Sequence, residues 1–206
     1  MIIVIGSEKG GVGKSTMATN LSVYLFLQGK EVILVDSDRQ GTSSIWSQDR
    51  KIKGIESVAK HDNIQDTLEG LNKKYEYVVV DCQGRDSMEL RSGLAAADVC
   101  ITPIRPSQAD LDTISKMIYL TDTAKLVNQK LQTFCVITQA PNSSTEVHDA
   151  QIALAEHGKL NLVKSIVYDR RIYRDALGTG FGVLEMKDQK AISEMNNVFK
   201  EIFSWL

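Results

Sequence analysis

Apolar residues fall in short unbroken runs, separated by stretches whose apolar positions recur every three or four residues. The runs are Ile2–Ile5, Val32–Val35, Val78–Val80, Val99–Ile101, Phe134–Ile137 and the shorter Ile166-Val167. A strand with one wet face alternates apolar with polar, whereas an unbroken run suits a parallel strand covered on both faces. Between the runs, helices are predicted near 15–28, 62–73, 87–96, 108–128, 146–156 and 188–204. Leu111, Ile114, Met117, Ile118 and Thr121 share one face of the fourth, a core-facing stripe. Strand and helix in alternation predict one doubly wound α/β domain over residues 1–206: a mainly parallel sheet with helices on both faces and right-handed crossovers. No repeat, low-complexity tract or linker interrupts the pattern. In such sheets ligands sit beyond the carboxyl ends of the strands, so the residues after each run are where chemistry is expected.

Composition narrows the picture modestly. A chain of 206 residues, 43% apolar and 24% charged, fits one domain with a substantial core and excludes disorder. A net charge of −2 gives no global attraction for nucleic acid, so such binding needs a local patch. No apolar run approaches membrane-span length, and Met1 leads directly into a strand, so a cytoplasmic protein without a leader is expected. Cys82, Cys100 and Cys135 are widely spaced and lie in or beside apolar runs; they read as buried thiols.

The candidate chemistry begins at Glu8-Lys9-Gly10-Gly11-Val12-Gly13-Lys14-Ser15-Thr16, between the first strand and the first helix. Strand, glycine-rich turn and helix together make a phosphate-binding loop. The glycines let the turn aim its N–H groups inward, and the helix adds the positive end of its dipole. Lys14 supplies a charge for the β- and γ-phosphates and Ser15 a hydroxyl for Mg²⁺. Where the common pattern has its first glycine, this chain has Glu8, followed by a second lysine, Lys9. Two lysines flanking Gly-Gly-Val-Gly resemble the deviant phosphate loop of the ParA/MinD ATPases, closest to the short plasmid-type partition proteins. That resemblance implies ATP as ligand and an ATP-dependent homodimer in which Lys9 reaches the nucleotide of the partner subunit. By the residues alone, Lys9 is either that or a solvated loop lysine.

The second strand ends in Val35-Asp36-Ser37-Asp38-Arg39-Gln40-Gly41. Two carboxylates past a buried strand are either a Mg²⁺ and water site or a turn capping the next helix. The segment resembles the family's Asp-x-Asp-Pro-Gln, which implies that Asp38 orients or activates the attacking water and that Asp36 sits by the metal. Arg39 replaces the usual proline, placing a cation either beside the phosphates or on the surface. Asp81, delivered by Tyr77–Val80, is expected to hold Mg²⁺ through a water; the following Gln83-Gly84-Arg85 departs from the family. Thr102-Pro103-Ile104-Arg105-Pro106-Ser107 resembles the family's Pro-x-x-Pro-Ser loop, which implies that Pro106 lies near the nucleoside. Gln139 reads adenine or is an ordinary loop glutamine.

Tyr168–Leu177 is the most basic short run. Arg170, Arg171 and Arg174 suit backbone contacts to nonspecific DNA, or ion pairs with Asp169 and Asp175. Ile192, Met195, Val198, Phe199, Ile202, Phe203 and Leu206 share one face of the last helix. With Glu194 and Glu201 offsetting Lys200, that stripe fits packing on the sheet better than a stable membrane contact. The expectation, by resemblance, is an ATPase that partitions or positions DNA or another large cargo, as in plasmid segregation, nucleoid-associated when ATP-bound and stimulated by a ParB-like partner. A MinD-like membrane-associated regulator and an iron-protein-like electron carrier are the alternatives; the latter needs paired cysteines at the dimer face.

Overall fold

The computed structural model describes residues 1–142 and 144–206. Among these residues, seven strands form one all-parallel sheet: β1 (Ile2–Ile5), β2 (Val32–Asp36), β3 (Glu56–Ala59), β4 (Tyr77–Asp81), β5 (Val99–Ile104), β6 (Gln132–Ile137) and β7 (Asn161–Leu162). Their order is β3-β2-β4-β1-β5-β6-β7. β1 is therefore central, and the neighbours on its two sides, β4 and β5, run on in opposite directions across the sheet, which is where such folds open a ligand crevice.

The unbroken apolar runs divide between two cores. In β1, Ile2 and Val4 enter one layer while Ile3 and Ile5 enter the other; Val78 and Val80 oppose Val79 in the same way. The first layer is closed by α3 (Gln65–Asn72), α4 (Met88–Ala96), α5 (Gln108–Leu111), α6 (Ile114–Lys125) and α7 (Ser144–His157). The second is closed by α1 (Lys14–Leu27), α2 (Thr42–Asp49), α8 (Arg171–Leu177) and α9 (Gln189–Phe203). α9 spends its stripe there: Met195, Val198, Phe199 and Ile202 are buried, and Tyr24 of α1 packs on Phe199 and Phe203. Among the described residues no helix is long and apolar enough to cross a membrane. The three cysteines are free and buried.

Five elements differ from the pattern's prediction. β3, α2 and α8 carry too few apolar residues to announce themselves; β3 pairs on one edge only and is exposed at both ends. The helix expected over 108–128 breaks after Leu111, where the Thr113 hydroxyl donates to the Asp110 carbonyl at 2.6 Å. Such bonds compete with helix propagation. The strand expected at Ile166-Val167 is instead the short β7 upstream, although Val167 still donates to Ile137 O. The intervening N–H groups of Lys164 and Ser165 are drawn away by the Glu201 carboxylate of α9, at 2.7 and 2.9 Å.

Candidate active site

The loop joining β1 to α1 is held by the two residues that follow β6. Thr138 Oγ1 donates to Val12 O at 2.7 Å and Gln139 Nε2 to Gly11 O at 2.9 Å, while Ser7 Oγ donates to Lys9 O at 2.8 Å. With these carbonyls occupied, the turn keeps its N–H groups for an anion. Gly11 and Gly13 adopt φ of +73° and +92°, which glycine tolerates without strain. α1 begins with no side-chain cap and no acid in its first turn, so its positive end stays open to phosphate. Lys14 lies buried here, its Nζ 3.1 Å from Lys9 O. Burial lowers its pKa, and Asp81 and Asp38 act against that shift.

Asp81 is fully buried at the end of β4. Burial pushes its pKa up to about 6, with the hydroxyls of Ser43 and Ser15 opposing the shift, nearby Asp36 adding to it and Lys14 opposing it. Ser43 Oγ donates to Asp81 Oδ2 at 2.6 Å; Oδ1 is buried with no hydrogen-bond partner among the described residues. An orphaned carboxylate oxygen beside a hydroxyl and a phosphate loop is the hard-oxygen set that Mg²⁺ takes, so these residues fit that cation.

Asp36 makes the contacts of the capping alternative that the sequence offered. Its Oδ1 accepts the N–H of Asp38 at 3.1 Å and its Oδ2 that of Ser44 at 2.7 Å. It shapes the loop and the start of α2, close enough to Asp81 to raise that carboxyl's pKa. Asp38 accepts the Gln40 N–H at 2.9 Å and lines a cleft of ≈ 360 Å³ with Gly10, Gly11, Lys14, Ser15, Thr16 and Gly84. Arg39 points away to the surface, 3.0 Å from Asp62.

On the other flank, Lys9 Nζ lies 3.5 Å from Asp110 Oδ2; the lysine is 34% exposed and the carboxylate 1%. Asp110 also takes the Ser107 hydroxyl and lies 3.2 Å from Arg105 Nε. Ser107 and Arg105 thus hold the carboxylate that pairs with Lys9. Pro106 lines neither cleft beside the phosphate loop.

A second cleft of ≈ 210 Å³ continues the first, sharing Gly13, Thr16 and Gln139, and is walled by Met17, Tyr168, Asp169, Arg170, Tyr173 and Arg174. Two of the three arginines assigned to DNA thus face this cleft. Arg170 is gripped by Glu194 Oε1 at 2.8 and 2.6 Å and lies over the Tyr168 ring; Arg174 pairs with Asp169 at 2.7 Å. Arg171 is 86% exposed, with Asp175 at 3.4 Å. The aspartates bracketing the run were the signal for pairing. Ser43 carries no signal in the sequence, and Gly84 stands out there only as part of a departure from the family. A Cβ on Gly84 would lie 3.1 Å from both Gly10 N and Lys14 Nζ, so the chain after Asp81 is seated directly on the phosphate loop.

Comparison with known proteins agrees with this geometry. A family model described as the CobQ/CobB/MinD/ParA nucleotide binding domain matches residues 3–178. Maintenance of carboxysome distribution protein A of Halothiobacillus neapolitanus is 28% identical over 207 residues, covering 97% of this chain and 95% of that one. The structure of Cyanothece McdA superposes with a TM-score of 0.81 at 16% identity over 98% of each chain. A Borrelia burgdorferi B31 structure named for plasmid partition and bound to AMPPNP gives 0.80 at 19% identity, covering 100% of this chain and 99% of that one.

Proposed function

The chain belongs to the CobQ/CobB/MinD/ParA nucleotide-binding family, and from that premise we propose that it is a nucleotide-switched ATPase that positions a large cargo. The observation that carries this reading is the pair of lysines bracketing one uncapped anion loop, Lys14 buried within it and Lys9 half-exposed on its flank. ATP lies along the two continuous clefts, its phosphates on the loop N–H groups and Lys14, its nucleoside between Gln139 and the Tyr168–Arg174 wall. Ser15 and Asp81 hold Mg²⁺, which when bound neutralises phosphate charge and favours departure of the γ-phosphoryl group. Asp38 orients the water that attacks in line. Lys9, released from Asp110, neutralises charge on the nucleotide of a second subunit, so ATP closes a homodimer. Positioning and charge supply the catalysis, and a slow basal rate raised by a ParB-like activator follows from an incomplete site.

The dimer binds nonspecific DNA through backbone contacts. Arg171 is the most exposed arginine of the basic run, Arg174 is exposed as well, and Lys190 and Arg170 line a separate surface cleft. Named relatives divide between chromosome or plasmid partition and carboxysome distribution, so the cargo is a DNA partition complex or a protein body. The protein acts in the cytoplasm and associates with the nucleoid when ATP-bound. The test is a gel shift on random duplex DNA with light scattering, in ATP, ADP and no nucleotide. An ATP-only dimer that retards DNA and is released by salt supports the reading; a monomer in ATP refutes it.

A further inference from the structure

Ser43 stands in the first turn of α2, fully buried, 38 residues from the carboxylate to which it donates. Its place is set by more than that bond. The next N–H, of Ser44, is held by Asp36 Oδ2 at 2.7 Å, and Asp36 Oδ1 holds the N–H of Asp38. The far end of α2 is anchored as well. Trp46 Nε1 donates to Phe181 O at 3.0 Å, and Arg50, in the residue after the helix, forks onto both oxygens of Glu185 at 2.8 and 2.6 Å. The hydroxyl is thus presented by a short helix fixed at both ends.

An aspartate carboxylate rotates broadly about its last torsion, and its two oxygens are equivalent until something distinguishes them. Here the Ser43 hydroxyl occupies Oδ2, and Oδ1 is the buried oxygen left without a hydrogen-bond partner among the described residues. Lys14 lies close enough to influence Asp81. A carboxylate freed from Ser43 could turn toward that ammonium and form an ion pair in competition with the cation. We propose that Ser43 is a positioning residue for the divalent cation: it holds Asp81 by Oδ2, presents Oδ1 beside Ser15, and ties the Asp38 loop to the cation's ligand. The proposal rests on the Mg²⁺–ATP reading given above. Partners that orient a ligand in this way commonly change metal affinity on the order of 10- to 100-fold when removed.

The experiment follows a fluorescent ATP analogue bound in EDTA and across a Mg²⁺ titration, for the wild type, Ser43→Ala and Ser43→Thr. Thermal stability is measured in parallel. For Ser43→Ala the Mg²⁺ half-point should rise by on the order of 10- to 100-fold, with affinity in EDTA within about twofold of wild type. Ser43→Thr, which keeps the hydroxyl, should recover most of the shift. Ser43→Cys, a weak donor of similar size, stands in if the threonine methyl prevents folding, and should fall between wild type and alanine. An unchanged Mg²⁺ half-point in a destabilised Ser43→Ala would show a packing role only and overturn the proposal. A wild type whose nucleotide affinity ignores Mg²⁺ would overturn the ATP reading itself, a separate result read before any variant.

Discussion

Replacing Asp81 by asparagine should stabilise the ligand-free protein while removing its response to Mg²⁺. Burial holds this carboxyl near a pKa of about 6, against 3.8 for a solvated aspartate. The shift is upward, so between pH 3.8 and about 6 the folded chain holds a proton that the unfolded chain has released. Stability from this group is therefore lost as pH rises through that window, and above it the full cost is present. About two units at ~1.4 kcal/mol each amount to about 3 kcal/mol. Asparagine keeps the acceptor for Ser43 and carries no charge to desolvate. At pH 7.5 in EDTA, the variant should melt roughly 5–10 °C above wild type, and the difference should shrink as pH falls to 4. Differential scanning fluorimetry across pH 4–8 measures both. A variant less stable than wild type at pH 7.5, or an offset independent of pH, would refute the argument that desolvation dominates at this site. The gain in stability with loss of cation binding would mark Asp81 as a residue kept at a thermodynamic cost.

Three further outcomes follow. Lys9→Ala should bind nucleotide with near-normal affinity yet remain monomeric in ATP by light scattering, because Lys14 and the loop N–H groups are untouched; a normal ATP dimer refutes a role for Lys9 across the interface. Asp38→Ala should bind ATP and dimerise while phosphate release falls on the order of 100-fold or more; unchanged turnover in the presence of the activator removes Asp38 from the reaction. Arg50→Met should cost about 3–5 kcal/mol in urea unfolding, because it strands the buried Glu185 carboxylate, whereas Arg39→Ala, breaking an exposed pair with Asp62, should cost well under about 1 kcal/mol. Equal losses in the two variants would refute the distinction.

The sequence alone determined the layered sheet and the phosphate loop. Runs such as Ile2–Ile5 and Val78–Val80 carry their burial on both faces in four or fewer consecutive residues, and Gly10 to Ser15 encode a turn, a charge and a helix start within one short span. Asp81 was recognisable because a buried strand delivers it directly. Tertiary structure decided what distant partners decide. Glu201 breaks a strand some 36 residues upstream by taking its N–H groups, and Glu194 turns Arg170 from a free cation into a cleft wall. Asp62 draws Arg39 to the surface, Asp110 occupies Lys9, and Ser43 selects the oxygen that Asp81 leaves free. Periodicity and turn chemistry act over a few neighbouring residues and so are written locally. Hydrogen bonds and ion pairs join side chains tens of residues apart, and only the packed sheet brings those groups within reach of one another.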